Sequence, residues 1–314
     1  MPPVPPVPDI PSDPNRYIPQ EDDPSTILFD VPYAEAEWKA DGIISDGEYQ
    51  QMDIKASQLS YAASNGNMMD LALQAAVSLY MSYDENFVYI AATTPADNYI
   101  CEIDSSNAYN MWAAHAVQLS LANINATDSA KRLETGYALS SLDNKLYSNT
   151  WFDPMGIHYD PEENVDYNIV NNGSTLVYEI RVPFEAFEKK KLTAGDSFLG
   201  SLAWAVGPTK NGGANDYAHI QLGYGVSGDP GKDPKGHATF TLGEKTDPEI
   251  VARGDCNDSI SWTLDSKGLL TITGTGEMPN YDHFNEAFNP WYFEEVKSVI
   301  IEDGVTSIGW FAFA

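Results

Sequence analysis

At 314 residues the chain can fold as one large domain or two smaller ones with a buried core, and its 43% hydrophobic content excludes a disordered polymer. With 46 Asp+Glu against 17 Lys+Arg the formal net charge is -29, a surface that repels phosphate backbones and anionic lipid and argues against nucleic-acid partners. Two cysteines without C-x-x-C or C-x-x-H spacing speak against a zinc site and a disulfide framework.

Prolines at 2, 3, 5, 6, 8, 11, 14, 19 and 24 dominate residues 1–26. They fix backbone angles and remove amide donors, which predicts an extended polyproline II linker. No basic region precedes an apolar one, so this start is not a signal peptide, and no apolar run reaches the roughly 18 residues of a membrane helix. A linker implies something upstream, so the chain is expected to be a piece of a longer protein.

From about residue 27 the apolar period becomes two. "VSLYMSYDENFVYIAATT" alternates through Leu79 and Met81, turns at Asp84–Asn86 and resumes with Phe87 and Tyr89, which predicts an antiparallel hairpin. Further strands are expected in "AVQLSLAN", "TGYALSS" and "KLYSNTWF". In "STLVYEIRV", Val177, Glu179 and Arg181 share one face and Leu176, Tyr178, Ile180 and Val182 the other. Pro183 then opens a predicted helix of a few turns. "FLGSLAWAV", "AHIQLGYG" and "HATFTL" complete an all-β, antiparallel β-sandwich of jelly-roll type over 27–245.

The chemistry-bearing motifs are few. Gly223–Gly228 fits G-x-G-x-x-G, but "DPGKDPKG" follows where a dinucleotide site needs a helix N-terminus, so the match is turn composition. No G-x-S-x-G, H-E-x-x-H or P-loop is present, and no two of the five histidines stand at i, i+4. The sequence therefore predicts no enzyme. Oxygen-rich stretches at 45–49 ("SDGEY") and 160–166 ("DPEENVD") read either as solvated loops or as sources of calcium ligands; Ca2+ is the cation they would suit.

"KADGIISDGEY", "VSLYMSYDENFVYIAATT", "WAAHAVQLSL", "YEIRVPFEAF" and "DPKGHATFTL" occur in the order seen in family 9 carbohydrate-binding modules, so residues 34–243 resemble that family and the wider DOMON-like sandwiches. The resemblance implies a sugar end held between two aromatic rings while polar groups fix its hydroxyls. It places Trp112 at the first clamp tryptophan, His115 at the following aspartate and Gln118 at the family's acid. Tyr224 is the nearest candidate for the second clamp, again a departure from the family's tryptophan, and Trp151 is a further aromatic candidate alongside a role in the core. Loss of the acid at Gln118 removes a charge-assisted hydrogen bond and implies weak binding.

After residue 245 the texture changes. Ile260, Trp262 and Leu264 alternate toward a turn at Asp265–Gly268, and Leu270 and Ile272 return, which predicts a hairpin. "NPWY" and "VKSVIIEDGVTSIGWFAF" follow. Residues 246–314 resemble the amino-terminal cap and first repeat of BspA-type leucine-rich repeats. A repeat buries its apolar row by stacking on a neighbour, so the resemblance implies a truncated array.

The sequence thus points to a non-catalytic, secreted or cell-surface bacterial fragment. Its sandwich is expected to bind a glycan or oligosaccharide, its repeats a host or cell-surface protein in adhesion, without membrane insertion. The alternatives are an accessory region of a glycan-degrading enzyme and a spacer that has lost its ligand.

Overall fold

The structure is a computed structural model that describes residues 17–97, 99–157, 159–161, 166–206, 217–224, 233–246, 248–282 and 288–313. It divides into two units, Met1–Lys245 and Thr246–Ala314.

The first unit is a β-sandwich. Its strands in chain order are β1 (Tyr17–Ile18), β2 (Leu28–Val31), β3 (Gln50–Gln51), β4 (Leu59–Ala63), β5 (Ser78–Tyr83), β6 (Phe87–Pro95) and β7 (Val117–Asn123). They continue with β8 (Arg132–Leu139), β9 (Leu146–Phe152), β10 (Tyr167–Asn171), β11 (Thr175–Pro183), β12 (Ser197–Val206), β13 (Ala218–Leu222) and β14 (Ala238–Leu242). Among the described residues one sheet runs β1-β4-β13-β12-β7-β8-β9, with β14 on the first half of β12 and β2 parallel to β14. The other runs β10-β11-β6-β5-β3.

Alternation along each strand decides what lies between the sheets. Val117, Leu119 and Leu121 of β7 join Leu133 and Tyr137 of β8 and Leu202, Trp204 and Val206 of β12 in one core. From the opposite sheet come Val88, Ile90 and Ala92 of β6 and Leu176, Tyr178, Ile180 and Val182 of β11, as the period of "STLVYEIRV" predicts. The hairpin at Asp84 forms, its carboxylate accepting from the Asn86 and Phe87 amides at 2.7 and 2.8 Å.

Three local expectations need correction. The stretch read as a linker up to residue 26 enters the sheet at Tyr17, where β1 pairs with β4; residues 1–16 lie outside the described residues. Pro183 opens only a 3₁₀ turn, Phe184–Ala186. Phe184, Ala186 and Phe187 all bury in the same core, a spacing that a tight turn satisfies and a longer amphipathic helix does not. A helix that periodicity left unread, α1 (Gly66–Gln74), is capped by Asn65, whose side chain accepts from the Met68 amide at 3.1 Å, and it buries Met68, Met69 and Ala72.

The second unit carries β15 (Ile250–Asn257), β16 (Ile260–Asp265), β17 (Leu269–Gly274), β18 (Gly276–Glu277), β19 (Ser298–Ile301) and β20 (Val305–Ser307). The hairpin β16–β17 forms as expected, with Trp262 opposite Ile272 and Leu264 opposite Leu270. Beyond it the chain coils: β19 lies parallel on β17 and β20 parallel on β18. Leu270 stands beside Val299 and Gly276 beside Val305, the same separation along the chain in both ladders. Trp262, Leu264, Leu270, Ile272, Met278, Tyr281 and Trp291 form its core.

Candidate functional site

The face of the larger sheet turned away from the sandwich core is polar around Gln118 and Glu134, and at Ala116 and Ala138 it carries an apolar cluster with Met111 against which Trp151 packs. Because β7, β8, β12 and β13 send alternate side chains inward, the residues between them share the outer face. Ser60, Gln221, Ala203, Gln118 and Gly136 form one row across five neighbouring strands. Ser201, Ser120 and Glu134 form the next, with Phe152 beside Glu134 on β9. Ala203 stands between Gln118 and Gln221, so the backbones that carry the two amides lie about 9.6 Å apart with a small floor residue between them. Tyr17, opposite Ala62, extends this face to the sheet edge.

These polar groups are buried and organised. Ser60 Oγ donates to Gln221 Oε1 at 3.2 Å, and Ser120 Oγ meets His237 Nε2 at 2.7 Å. Arg132 Nη2 donates to Glu134 Oε2 at 2.6 Å, and the guanidinium lies 3.9 Å from the centre of the Phe152 ring. The pair is almost wholly buried, so Glu134 is a fixed carboxylate whose charge is offset on one side. Ser201 Oγ is buried and finds no hydrogen-bond partner among the described residues.

Aromatic rings stand around this floor. The segment before β7 makes a 3₁₀ turn, Ala108–Ala113, and places half-buried Trp112 above the sheet. The Trp112 carbonyl accepts from His219 Nε2 at 2.6 Å, which ties that turn to β13. The indole meets Tyr217 edge-on at 6.4 Å, and its Nε1–H is buried with no partner among the described residues. Trp151 is the extra residue of a bulge between β8 and β9. Its Nε1 donates to the Tyr109 carbonyl at 3.0 Å, and its ring lies over Gly136, the register partner of Gln118. A Cβ at Gly136 would come within 2.5 Å of that ring and 2.6 Å of Met111 Sδ, so glycine makes the room for Trp151.

The structure therefore brings Trp112, Gln118 and Trp151 to one face, and Tyr224 lies near Glu134, Tyr17, Arg132 and Tyr217. Tyr224 is 8% exposed; burial, then the nearby Glu134 carboxylate, pushes its hydroxyl well above the usual phenol range. The ring that meets Trp112 is Tyr217, edge-on. His115 is not on this face: it is fully buried, its Nε2 at 3.1 Å from the Pro95 carbonyl and its ring against Tyr99. It ties the Trp112 segment down to β6. Gly225–Gly228 of the G-x-G-x-x-G match lie outside the described residues.

Sequence reasoning missed Tyr17, Ser60, Arg132, Glu134, Tyr217, His219 and Gln221. The signal existed for the strand residues: in "RLETGYAL" and "AHIQL" the polar positions alternate with the apolar ones and so share the face of Gln118.

Part of each oxygen-rich stretch is tied into the protein. In 45–49, Glu48 is buried and Tyr49 Oη donates to Glu179 at 3.3 Å. In 160–166, Asp166 pairs with Arg181 at 2.8 Å, and residues 162–165 lie outside the described residues. Among the described residues no three His, Cys, Asp or Glu side chains are grouped to hold a metal ion. Cys101 and Cys256 are free thiols, and burial pushes Cys101 up to about 12. No helix among the described residues is long and apolar enough to cross a membrane.

No family model matches the chain. No curated protein matches it either. Among solved structures it is similar to a carbohydrate binding module family 9 from Caldicellulosiruptor kristjanssonii in complex with cellotriose, at 15% identity and a TM-score of 0.47, covering 72% of this chain and 98% of that one. A second structure of a family 9 module from the same organism, in complex with glucose, matches at 15% identity and a TM-score of 0.45, covering 72% of this chain and 100% of that one.

Proposed function

We propose that the sandwich is a non-catalytic glycan-binding module and that its ligand lies on the outer face of the larger sheet, between Trp112 and Trp151. Residues 246–314 belong to the same proposal as the cap and opening coils of a BspA-type leucine-rich repeat region that serves adhesion in a secreted or surface-bound bacterial protein.

One observation carries the glycan reading. A floor of fixed hydroxyl, amide and carboxylate groups lies beneath half-buried tryptophans, and Ser201 Oγ in it and Trp112 Nε1 above it are buried without partners among the described residues. A buried polar atom costs about 1–3 kcal/mol unless a partner arrives, and sugar hydroxyls can both donate and accept. An indole face packs on the apolar C–H face of a pyranose, Gln118 can give and take one hydrogen bond each, and Glu134 supplies the carboxylate that Gln118 lacks. The edge-on meeting of Trp112 with Tyr217 offers one open stacking face rather than a closed two-ring clamp. Binding is accordingly weak, with a Kd of about 1 mM, near -4 kcal/mol.

The test is titration of the 314-residue chain with glucose, galactose, xylose, cellobiose and xylotriose, followed by tryptophan fluorescence. The expected result is millimolar binding of at least one sugar, weakened by about tenfold or more in Trp112→Ala, as loss of a stacking aromatic predicts. Binding that ignores Trp112→Ala moves the site elsewhere, and no binding by a folded protein contradicts the reading.

A further inference from the structure

His219 stands among small side chains on the outer face of the larger sheet. Tyr17 on β1 lies opposite Ala62 on β4, and Ala62 lies opposite His219 on β13. On its other side His219 faces Ala205 of β12, whose amide donates to the Ala116 carbonyl ahead of β7. An alanine on each side leaves the imidazole room to rise off the sheet. The residue is nonetheless 7% exposed, because two parts of the aromatic rim meet it.

The first is the turn that carries Trp112. Ala108–Ala113 is a 3₁₀ turn, and carbonyls at the C-terminal end of such a turn run out of amide partners within it. His219 Nε2 lies 2.6 Å from the Trp112 carbonyl. A carbonyl oxygen only accepts, so this nitrogen carries the proton and the imidazole caps the turn. The start of the same turn is held at the Tyr109 carbonyl by Trp151 Nε1. The second part is Tyr217, whose ring lies 5.1 Å from the imidazole at 39° and meets Trp112 edge-on at 6.4 Å. Its backbone is fixed separately: the Tyr217 amide donates to Ser64 Oγ at 3.1 Å, and its carbonyl accepts from the Ser64 amide at 3.0 Å. Tyr217 is thus placed by its own strand, whereas the end of the turn at Trp112 is tied to β13 by a side chain.

We propose that His219 is a positioning residue of the sugar site, one that holds Trp112 at the angle the ligand needs without touching the ligand. This rests on the glycan reading given above. A residue that keeps the free protein in its binding conformation acts on affinity through the fraction of molecules already competent. If that fraction falls to about a tenth, the Kd rises about tenfold.

The test uses the 15N-labelled 314-residue chain, with far-UV circular dichroism to confirm folding. Titration with the sugars named above is followed by the backbone amide resonances of β7 and β12, and the indole resonances are read before sugar is added. His219→Ala is expected to move the sugar-free Trp112 indole resonance, to leave that of Trp204 in place, and to raise the Kd about tenfold. His219→Gln, whose Nε2 can donate to the same carbonyl, restores the affinity to within about threefold. Added to Trp112→Ala, His219→Ala weakens binding by less than about twofold more, because the residue it acts through is gone. A folded His219→Ala protein with the wild-type Trp112 resonance and Kd overturns the proposal. Losses that multiply in the double variant overturn it by giving His219 a sugar contact of its own, and a Kd that His219→Gln leaves raised assigns the loss to packing. Absence of any binding by the folded wild type is a separate outcome, which overturns the glycan reading and the positioning role with it.

Discussion

Glu179 lies on the outer side of the smaller sheet with no exposed surface, where its carboxylate accepts from the Gly42 amide and the Tyr49 hydroxyl. Trp38 Nε1 in turn donates to Tyr49 Oη at 2.6 Å, so one carboxylate holds the 34–49 segment against β11. Burial, with Asp41 and Glu48 nearby, raises the Glu179 pKa from 4.5 to about 7 against the lowering effect of the Gly42 amide. The folded protein then binds more protons than the unfolded chain between those two values, and stability falls as pH rises through that window. Glu48 adds to the fall, because burial raises its carboxyl too. Denaturant melts at pH 4.5 and 7 should show the wild type losing about 2 kcal/mol across the window, whereas Glu179→Gln keeps the hydrogen-bond acceptor and loses much less. Equal slopes for both proteins would assign the pH dependence to other groups. That Glu179 faces away from the core is legible in "STLVYEIRV"; that it latches Gly42 and Tyr49 is not, since those partners lie more than a hundred positions away.

At the scale of elements, strands with clean alternation were legible and close turns were not. Strands β5, β6, β7 and β11 follow their period of two, and β16–β17 turns at Asp265, whose side chain accepts from the Lys267 and Leu269 amides at 2.9 Å. The Pro183 turn was over-read as a helix and α1 escaped, because each is too short for a 3.6-residue period to decide it. The same divide runs through the site: Gln118, Glu134 and Gln221 sit at alternating strand positions, whereas Tyr17 hides at the end of a proline-rich stretch and Tyr217 precedes β13 in a Gly- and Asn-rich one. Elements also differ in how well they are covered. Among the described residues β6, β7 and β12 have neighbours on both edges, while β19 has one, and Phe293 and Trp310 of the same unit are 84% and 76% exposed. Amide hydrogen exchange under native conditions should therefore show β17–β20 opening at lower free energy than β6, β7 and β12. Uniform protection across both sets would contradict this reading of the second unit.

For the whole molecule, a formal charge of -29 coexists with a site whose buried carboxylate is matched by Arg132 and whose serine, glutamine and tyrosine groups are uncharged. The field of the protein therefore works against anionic ligands, and the site offers uncharged hydroxyls what they need. The central claim is that this face, and no other surface, holds a glycan. The chain has seven tryptophans, and they report on different places: Trp112 and Trp151 stand over the polar floor, Trp204 lies in the sandwich core, and Trp262, Trp291 and Trp310 belong to the second unit. The most direct measurement is a two-dimensional NMR spectrum of the 15N-labelled tryptophan side chains during titration with the best-binding sugar. The account predicts saturable shifts of the Trp112 and Trp151 indole resonances, with those of Trp204, Trp262, Trp291 and Trp310 unmoved. Saturable shifts confined to Trp310, or binding that leaves Trp112 and Trp151 unmoved, would contradict it.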